Sequence, residues 1–209
     1  IEFIPVNHSI ADANALAIDT PLGPVIHTGD FKIDHTPIHG EQIGLDRFAY
    51  YGTKGVLALF SESTNVEIPG YTQSERSVGD TFNQLFAECK GRIFVATFSS
   101  NVYRLQQIIS AAEANSRKVV LVGRSVLNVF KAADSLGYLD MAPGTIKELD
   151  EAEQLKDDQV VYITTGSQGE PMSALTRIAF ASHRQLEIHE HDTVIFSSSM
   201  IPGNETQIY

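Results

Sequence analysis

The chain has 209 residues, 43% of them hydrophobic and 20% charged, with a formal net charge of −11. That composition belongs to one large or two modest folded domains rather than to a disordered chain, and no apolar run approaches the ~18 residues a membrane helix needs. The acidic balance argues against a general nucleic-acid binder, because neutralising phosphates takes clustered Lys and Arg, although it leaves room for a focused basic groove.

In chain order, "EFIPV" and "ALAID" are short β-rich runs, and "GPVIHTGD" follows the turn "TPLG". Ala15–Thr20 and Pro24–Thr28 therefore read as an antiparallel hairpin. "LDRFAYYG" has Leu45, Phe48 and Ala49 at helical spacing, with Gly52 as the expected C-cap. "GVLALF" is a continuous apolar run of the kind found in buried strands. After Gly70 the pattern changes. "TQSERSVGDTFNQLFAEC" reads as a helix with Ser74 and Ser77 as candidate N-caps and Val78, Phe82, Leu85 and Phe86 on its apolar face. Strand "RIFVATF", helix "NVYRLQQIISAAEAN", strand "KVVLVG", helix "SVLNVFKAADSLG", an acidic loop with a short helix over 147–158, strand "VVYITTG", helix "MSALTRIAFAS" and strand "TVIFSSS" follow. Strands alternating with helices at this spacing predict an α/β fold with a mostly parallel sheet flanked by helices. The start, "IEFIPVNHS", has neither an initiator methionine nor a basic signal region, and the end, "GNETQIY", has no capping element. Both ends read as cuts from a longer polypeptide. A single cysteine, Cys89, leaves no internal disulfide and fits a reducing, cytoplasmic setting.

Candidate chemistry lies at strand ends. His8 follows the first strand and Asp30 the third. Alone, each suits an ordinary loop or Asx turn; together, an imidazole and a carboxylate at the ends of neighbouring strands make a metal-ligating pair suited to zinc or manganese. Glu62, at the exit of "GVLALF", is either an N-cap or an orienting carboxylate. "IHEHD" places His189 and His191 at alternate positions, but its place before a strand favours a solvated turn. His35 and His39 flank Pro37, which disfavours a helical ligand pair; His27 has no partner signal; His183 reads as a helix C-terminal residue. The small polar strand ends "TFSSN", "VGRS", "TTGSQGE" and "FSSSMIPGN" predict a crevice at the C-terminal edge of the parallel sheet, where backbone N–H groups and helix N-termini favour anions, with Arg104 and Arg124 adding positive charge. "TTGSQGEP" also reads as a strand-to-helix turn with Pro171 at the helix start. No G-x-S-x-G, Walker A or G-x-G-x-x-G motif is present.

"VNHSI", "HTGDFKID", "SESTN", "GYTQSERSVGD", "ATFSSNVYRLQQ", "VGRS", "TTGSQGEPMSAL" and "FSSSMIPGN" together resemble bacterial ribonuclease J, in which a metallo-β-lactamase domain carries a β-CASP insertion. The resemblance implies partial metallo-β-lactamase strands over residues 1–67 and a β-CASP domain, incomplete at its C-terminus, over 68–209. It implies that His8 and Asp30 are metal ligands and that Asp30 and Glu62 are catalytic. It places RNA or phosphate contacts at Ser99, Ser100, Asn101 and Arg104, and along Ser167, Gln168 and Glu170. It further implies two divalent metals (zinc, with manganese or magnesium as alternatives), 5′-monophosphorylated RNA as substrate, 5′-to-3′ exonuclease and endonuclease activity in RNA processing and decay, rRNA processing included, and a homodimer or homotetramer. The family's H-x-H-x-D-H motif is not in these residues, so the chain alone is expected to be inactive and to bind no metal. Two other readings are a non-catalytic phosphate- or RNA-binding or self-association module, and a hydrolase of the same superfamily with another substrate.

Overall fold

The structure, a computed structural model, describes residues 1–201 and 203–208; Pro202 of the last motif and Tyr209 lie outside the described residues. The chain forms two compact units, Ile1–Val78 and Gly79–Tyr209. The predicted boundary follows Glu67, whereas the connecting segment through Val78 belongs with the first unit. Buried Asp34 is the reason: its carboxylate accepts hydrogen bonds from the Ser74 hydroxyl (3.1 Å) and the Glu75 N–H (3.0 Å).

In the first unit, β1 (Glu2–Pro5), β2 (Asn14–Thr20) and β3 (Gly23–His27) form an antiparallel meander, and β4 (Ala58–Phe60) adds parallel to β3. The predicted hairpin is present, with Leu16 opposite His27 and Thr20 opposite Gly23. Ile4, Ala15, Ala17 and Ile26 alternate onto one face, which packs with Ile43 and Tyr51. Tyr51 belongs to α1 (Leu45–Lys54), which runs past Gly52 and ends at Gly55. Gly55, at φ +92°, donates its N–H to the Tyr51 carbonyl, so the left-handed C-cap sits three residues later than the sequence suggested. Arg47 donates to both Glu2 carboxylate oxygens (2.5 and 2.8 Å) and Tyr51 donates its hydroxyl at 2.8 Å. These bonds bring the Glu2 carboxyl down to about 2. "GVLALF" is not a buried strand. β4 is the sheet edge, only Ala58–Phe60 are extended, and Leu59 and Phe60 are exposed. A continuous apolar run marks a strand of two covered faces only where both faces find a partner.

The second unit begins within α2 (Arg76–Glu88), whose Phe82 and Phe86 are buried as predicted. Then come β5 (Ile93–Ala96), α3 (Val102–Ala114), β6 (Lys118–Val122), α4 (Arg124–Ser135), β7 (Ile146–Lys147), α5 (Leu149–Ala152), β8 (Val160–Thr164), α6 (Ala174–Ala179), β9 (Thr193–Phe196) and α7 (Glu205–Ile208). Every pairing in its five-stranded sheet is parallel, in the order β7-β6-β8-β5-β9. Phe94, Val120, Val122, Val160 and Tyr162 line one face with Ala174 and Ile178 of α6, and Phe94 stacks on Tyr162 with centroids 4.6 Å apart. The alternating residues Ile93, Val95, Val119, Val161 and Ile163 are buried too, so both faces of the central strands are covered. Two local expectations change. The helix of "MSALTRIAFAS" is only Ala174–Ala179, and its N-cap is Ser173, whose hydroxyl accepts the Thr176 N–H; Pro171 lies in the preceding turn. The short strand β7 pairs at the sheet edge inside what the sequence presented as loop.

Candidate functional site

The first group of candidates sits at one edge of the four-stranded sheet. β1, β3 and β4 run in the same direction, so their C-terminal ends share that edge. Past the strands, Asn7 and Lys32 form an isolated antiparallel bridge, with the Lys32 N–H donating to the Asn7 carbonyl at 2.8 Å. The Asn7 side chain accepts from the Ile43 N–H and donates to the Glu41 carbonyl, which fixes the loop. This lashing sets His8 against Asp30. Gly29, at φ +60°, turns the chain there; an added Cβ would lie 3.2 Å from the Asn14 carbonyl oxygen.

The outcome is His8 Nε2 at 3.7 Å from Asp30 Oδ2, with the Asp30 side chain 74% exposed. Two donors bound to one tetrahedral ion at ~2.1 Å stand about 3.4 Å apart, so a small side-chain adjustment would let this pair share a divalent cation. Glu62 joins the same edge. Its N–H donates to the Thr28 hydroxyl, and its carboxylate accepts the Thr64 N–H at 2.7 Å. The Thr64 N–H and hydroxyl, and secondarily a protonated His8, hold the Glu62 carboxyl below the ordinary carboxylate range. Among the described residues no group of three or more His, Cys, Asp or Glu side chains is arranged to hold a metal ion. His8 and Asp30 thus form a two-donor pair, one donor short of such a group. The other histidines have local roles. His27 stacks near Phe60 and accepts the Gly29 N–H, and His183 Nδ1 accepts the Leu186 N–H. "IHEHD" is a turn, as read, in which Asp192 pairs with Arg92.

The second group crowns the C-terminal edge of the parallel sheet. Ser99 and Ser100 form the turn after β5, and Asn101 caps α3, its side-chain oxygen accepting the Arg104 N–H at 3.0 Å. Arg104 reaches across the sheet edge, donating to the Ser197 carbonyl (2.9 Å) and hydroxyl (2.6 Å) at the exit of β9. Ser167, Gln168 and Glu170 lie after β8, the strand beside β5. Gln168 is only 3% exposed, and its amide binds the loop after β9. Arg124, the first residue of α4, is exposed at the end of β6. The structure thus brings His8, Asp30 and Glu62 together at one sheet edge and the remaining candidates together at another. Sequence reasoning marked the "FSSSMIPGN" loop without naming Ser197 and Ser198, the two serines whose side chains bond Arg104 and Gln168. Asn7 and Thr28, which set the first site's geometry through loop hydrogen bonds, left no sequence signal.

A parallel sheet with anion-friendly strand ends, in one chain with strand termini bearing an imidazole and acids, places the chain among α/β proteins with candidate sites at their strand ends. Residues 90–209 match the family described as "Ribonuclease J, beta-CASP domain". The chain is 52% identical over 204 residues to Ribonuclease J of Synechocystis sp., covering 98% of this chain and 32% of that protein. It is 45% identical to Ribonuclease J of Corynebacterium glutamicum (100% and 29%) and 44% identical to that of Thermus thermophilus (100% and 36%). Among solved structures, a protein of unknown function from Enterococcus faecalis V583 shares the fold, with a TM-score of 0.53, 20% identity, and coverage of 77% of this chain and 40% of that one. The chain belongs to the ribonuclease J family and spans about a third of the length of these relatives. No helix among the described residues is long and apolar enough to cross a membrane.

Proposed function

We propose that the intact protein is a metal-dependent ribonuclease acting in RNA processing and decay, rRNA processing included, in the cytoplasm, and that these 209 residues carry part of its metal site and most of its β-CASP domain. The observation behind this reading is the approach of His8 to Asp30 at 3.7 Å, with Glu62 beside them. His8 and Asp30 would hold a divalent metal, zinc or alternatively manganese or magnesium, and Glu62 orients the site. When bound, the metals, two in this reading, would supply the Lewis acidity that makes water a nucleophile for phosphodiester hydrolysis. Polypeptide beyond these residues supplies the remaining ligands, because two donors alone hold a metal too weakly against water. The crown of the second unit binds the phosphate of 5′-monophosphorylated RNA through Ser99, Ser100 and the N-terminus of α3. The residues up to about Glu67 belong to a metallo-β-lactamase segment, and the intact protein works as a homodimer or homotetramer.

Assaying the intact protein and the isolated chain on 5′-monophosphorylated RNA with added Zn²⁺ or Mn²⁺ tests this. The intact protein degrades the RNA from its 5′ end and also cuts internally. Asp30→Ala and His8→Ala each lower kcat/KM at least about a hundredfold, and the isolated chain shows no metal-dependent turnover. Processive cleavage by the isolated chain, or full activity of intact Asp30→Ala, overturns the reading.

A further inference from the structure

Among the described residues β9 pairs only with β5 and lies at the sheet edge, and Val194 and Phe196 are exposed. The loop that leaves it carries Ser197–Ser199 into the proposed phosphate crown. Gln168, from the neighbouring loop after β8, supports that loop. Its Nε2 donates to the Ser198 hydroxyl at 3.1 Å and the Ser199 carbonyl at 2.9 Å. Its Oε1 accepts the Ile201 N–H at 2.8 Å and the Asn204 side-chain amide at 3.4 Å. Two donors and two acceptor positions are the whole capacity of a glutamine amide, and at 3% exposure nothing remains to face an RNA phosphate. Backbone packing reinforces the contact. At Gly169, φ +70°, an added Cβ would fall 2.4 Å from the Gln207 carbonyl oxygen, so only glycine lets the β8 loop lie against α7.

We propose that Gln168 is a positioning residue for RNA recognition: it does not touch substrate but holds Ser198, Ser199, Ile201 and Asn204 so that Ser198 and its neighbours face the 5′ phosphate. This rests on the placement of RNA at the crown argued above. The test uses the intact protein. Gln168→Met, similar in volume but unable to bridge, accelerates amide exchange across residues 198–208 while β5 and β8 stay protected. It also raises KM for 5′-monophosphorylated RNA about tenfold, the scale of one or two misplaced hydrogen bonds, with kcat within about twofold. Gln168→Glu regains much of the lost KM as pH falls, because a protonated carboxyl both donates and accepts; Gln168→Met shows no such pH profile. Faster loop exchange together with a raised KM supports the proposal. A raised KM with unchanged loop exchange means that Gln168 meets RNA directly and overturns the proposal while leaving RNA at the crown. Faster loop exchange with unchanged KM overturns the crown as the RNA site, and the proposal with it. No change in either removes the bridge as a determinant and refutes the proposal.

Discussion

Replacing Asp192 by alanine isolates a buried charge pairing of the second unit. Arg92 donates from Nε to Asp192 Oδ1 at 2.9 Å and from Nη2 to Oδ2 at 2.5 Å, with the two side chains 10% and 2% exposed. Nη2 also reaches the Glu187 carbonyl, the guanidinium lies over the Phe94 and Tyr162 rings, and the His189 N–H donates to Asp192. In Asp192→Ala the guanidinium keeps one carbonyl and two ring faces, and the His189 N–H loses its acceptor. Removing one member of a buried, hydrogen-bonded pair costs about 3–5 kcal/mol. The pair joined to apolar residues behaves differently: Arg92→Met with Asp192→Leu stays within about 1–2 kcal/mol of the parent, since neither charge is left orphaned. Because the chain has two units and no tryptophan, a single global unfolding curve blurs the answer. Amide exchange of Ile93–Ala96 and Val160–Thr164, read by mass spectrometry, reports this sheet directly. Protection there falls by about two to nearly four orders of magnitude in Asp192→Ala and mostly returns in the double variant. A loss below about tenfold, or a double variant as weak as the single one, would refute the assignment of this pair as a buried, mutually dependent contact.

Asp34 makes the first unit acid-sensitive. Burial alone would raise its carboxyl, but the N–H groups of Glu75 and Thr36, the Ser74 hydroxyl and Lys32 outweigh it and hold it below the ordinary value. Since the folded value is depressed, the stabilisation is complete above about pH 4 and disappears as pH falls through the folded value; urea midpoints between pH 6 and 2.5 should decline less steeply in Asp34→Asn than in the parent. Asn101 separates capping from ligand contact. Asn101→Ala destabilises by about 1 kcal/mol through the lost α3 cap, whereas Asn101→Asp keeps the cap and weakens binding of 5′-monophosphorylated RNA by the intact protein through like-charge repulsion, read by fluorescence anisotropy.

Much of the architecture was legible because local pattern and tertiary context agreed. The hairpin through Gly23 and the strand ends of β5, β6 and β8 announce themselves through composition and turn chemistry. "GVLALF" was misread because apolarity alone does not tell a central strand from an edge one. Gly52 was mistaken for a helix stop because a glycine inside a helix carries no mark separating it from Gly55. At the candidate sites, His8 and Asp30 were visible as residue types at strand exits, but their approach depends on the Asn7–Lys32 bridge. Gln168 was expected as an RNA contact from the resemblance, and its commitment to the β9 loop arises from pairing more than thirty residues away. Arg92 and Asp192, a hundred residues apart, are coupled only by the parallel order of β5 and β9.

That order also governs how the second unit is made. Ile93 pairs with Val161 on one side and Thr193 on the other, so a nascent chain emerging from the ribosome carries β5 with both hydrogen-bonding edges open until β8 and then β9 are synthesised. Such non-local closure is slow, and the apolar segment Ile93–Ala96 is the stretch a chaperone would have to shield in the interval.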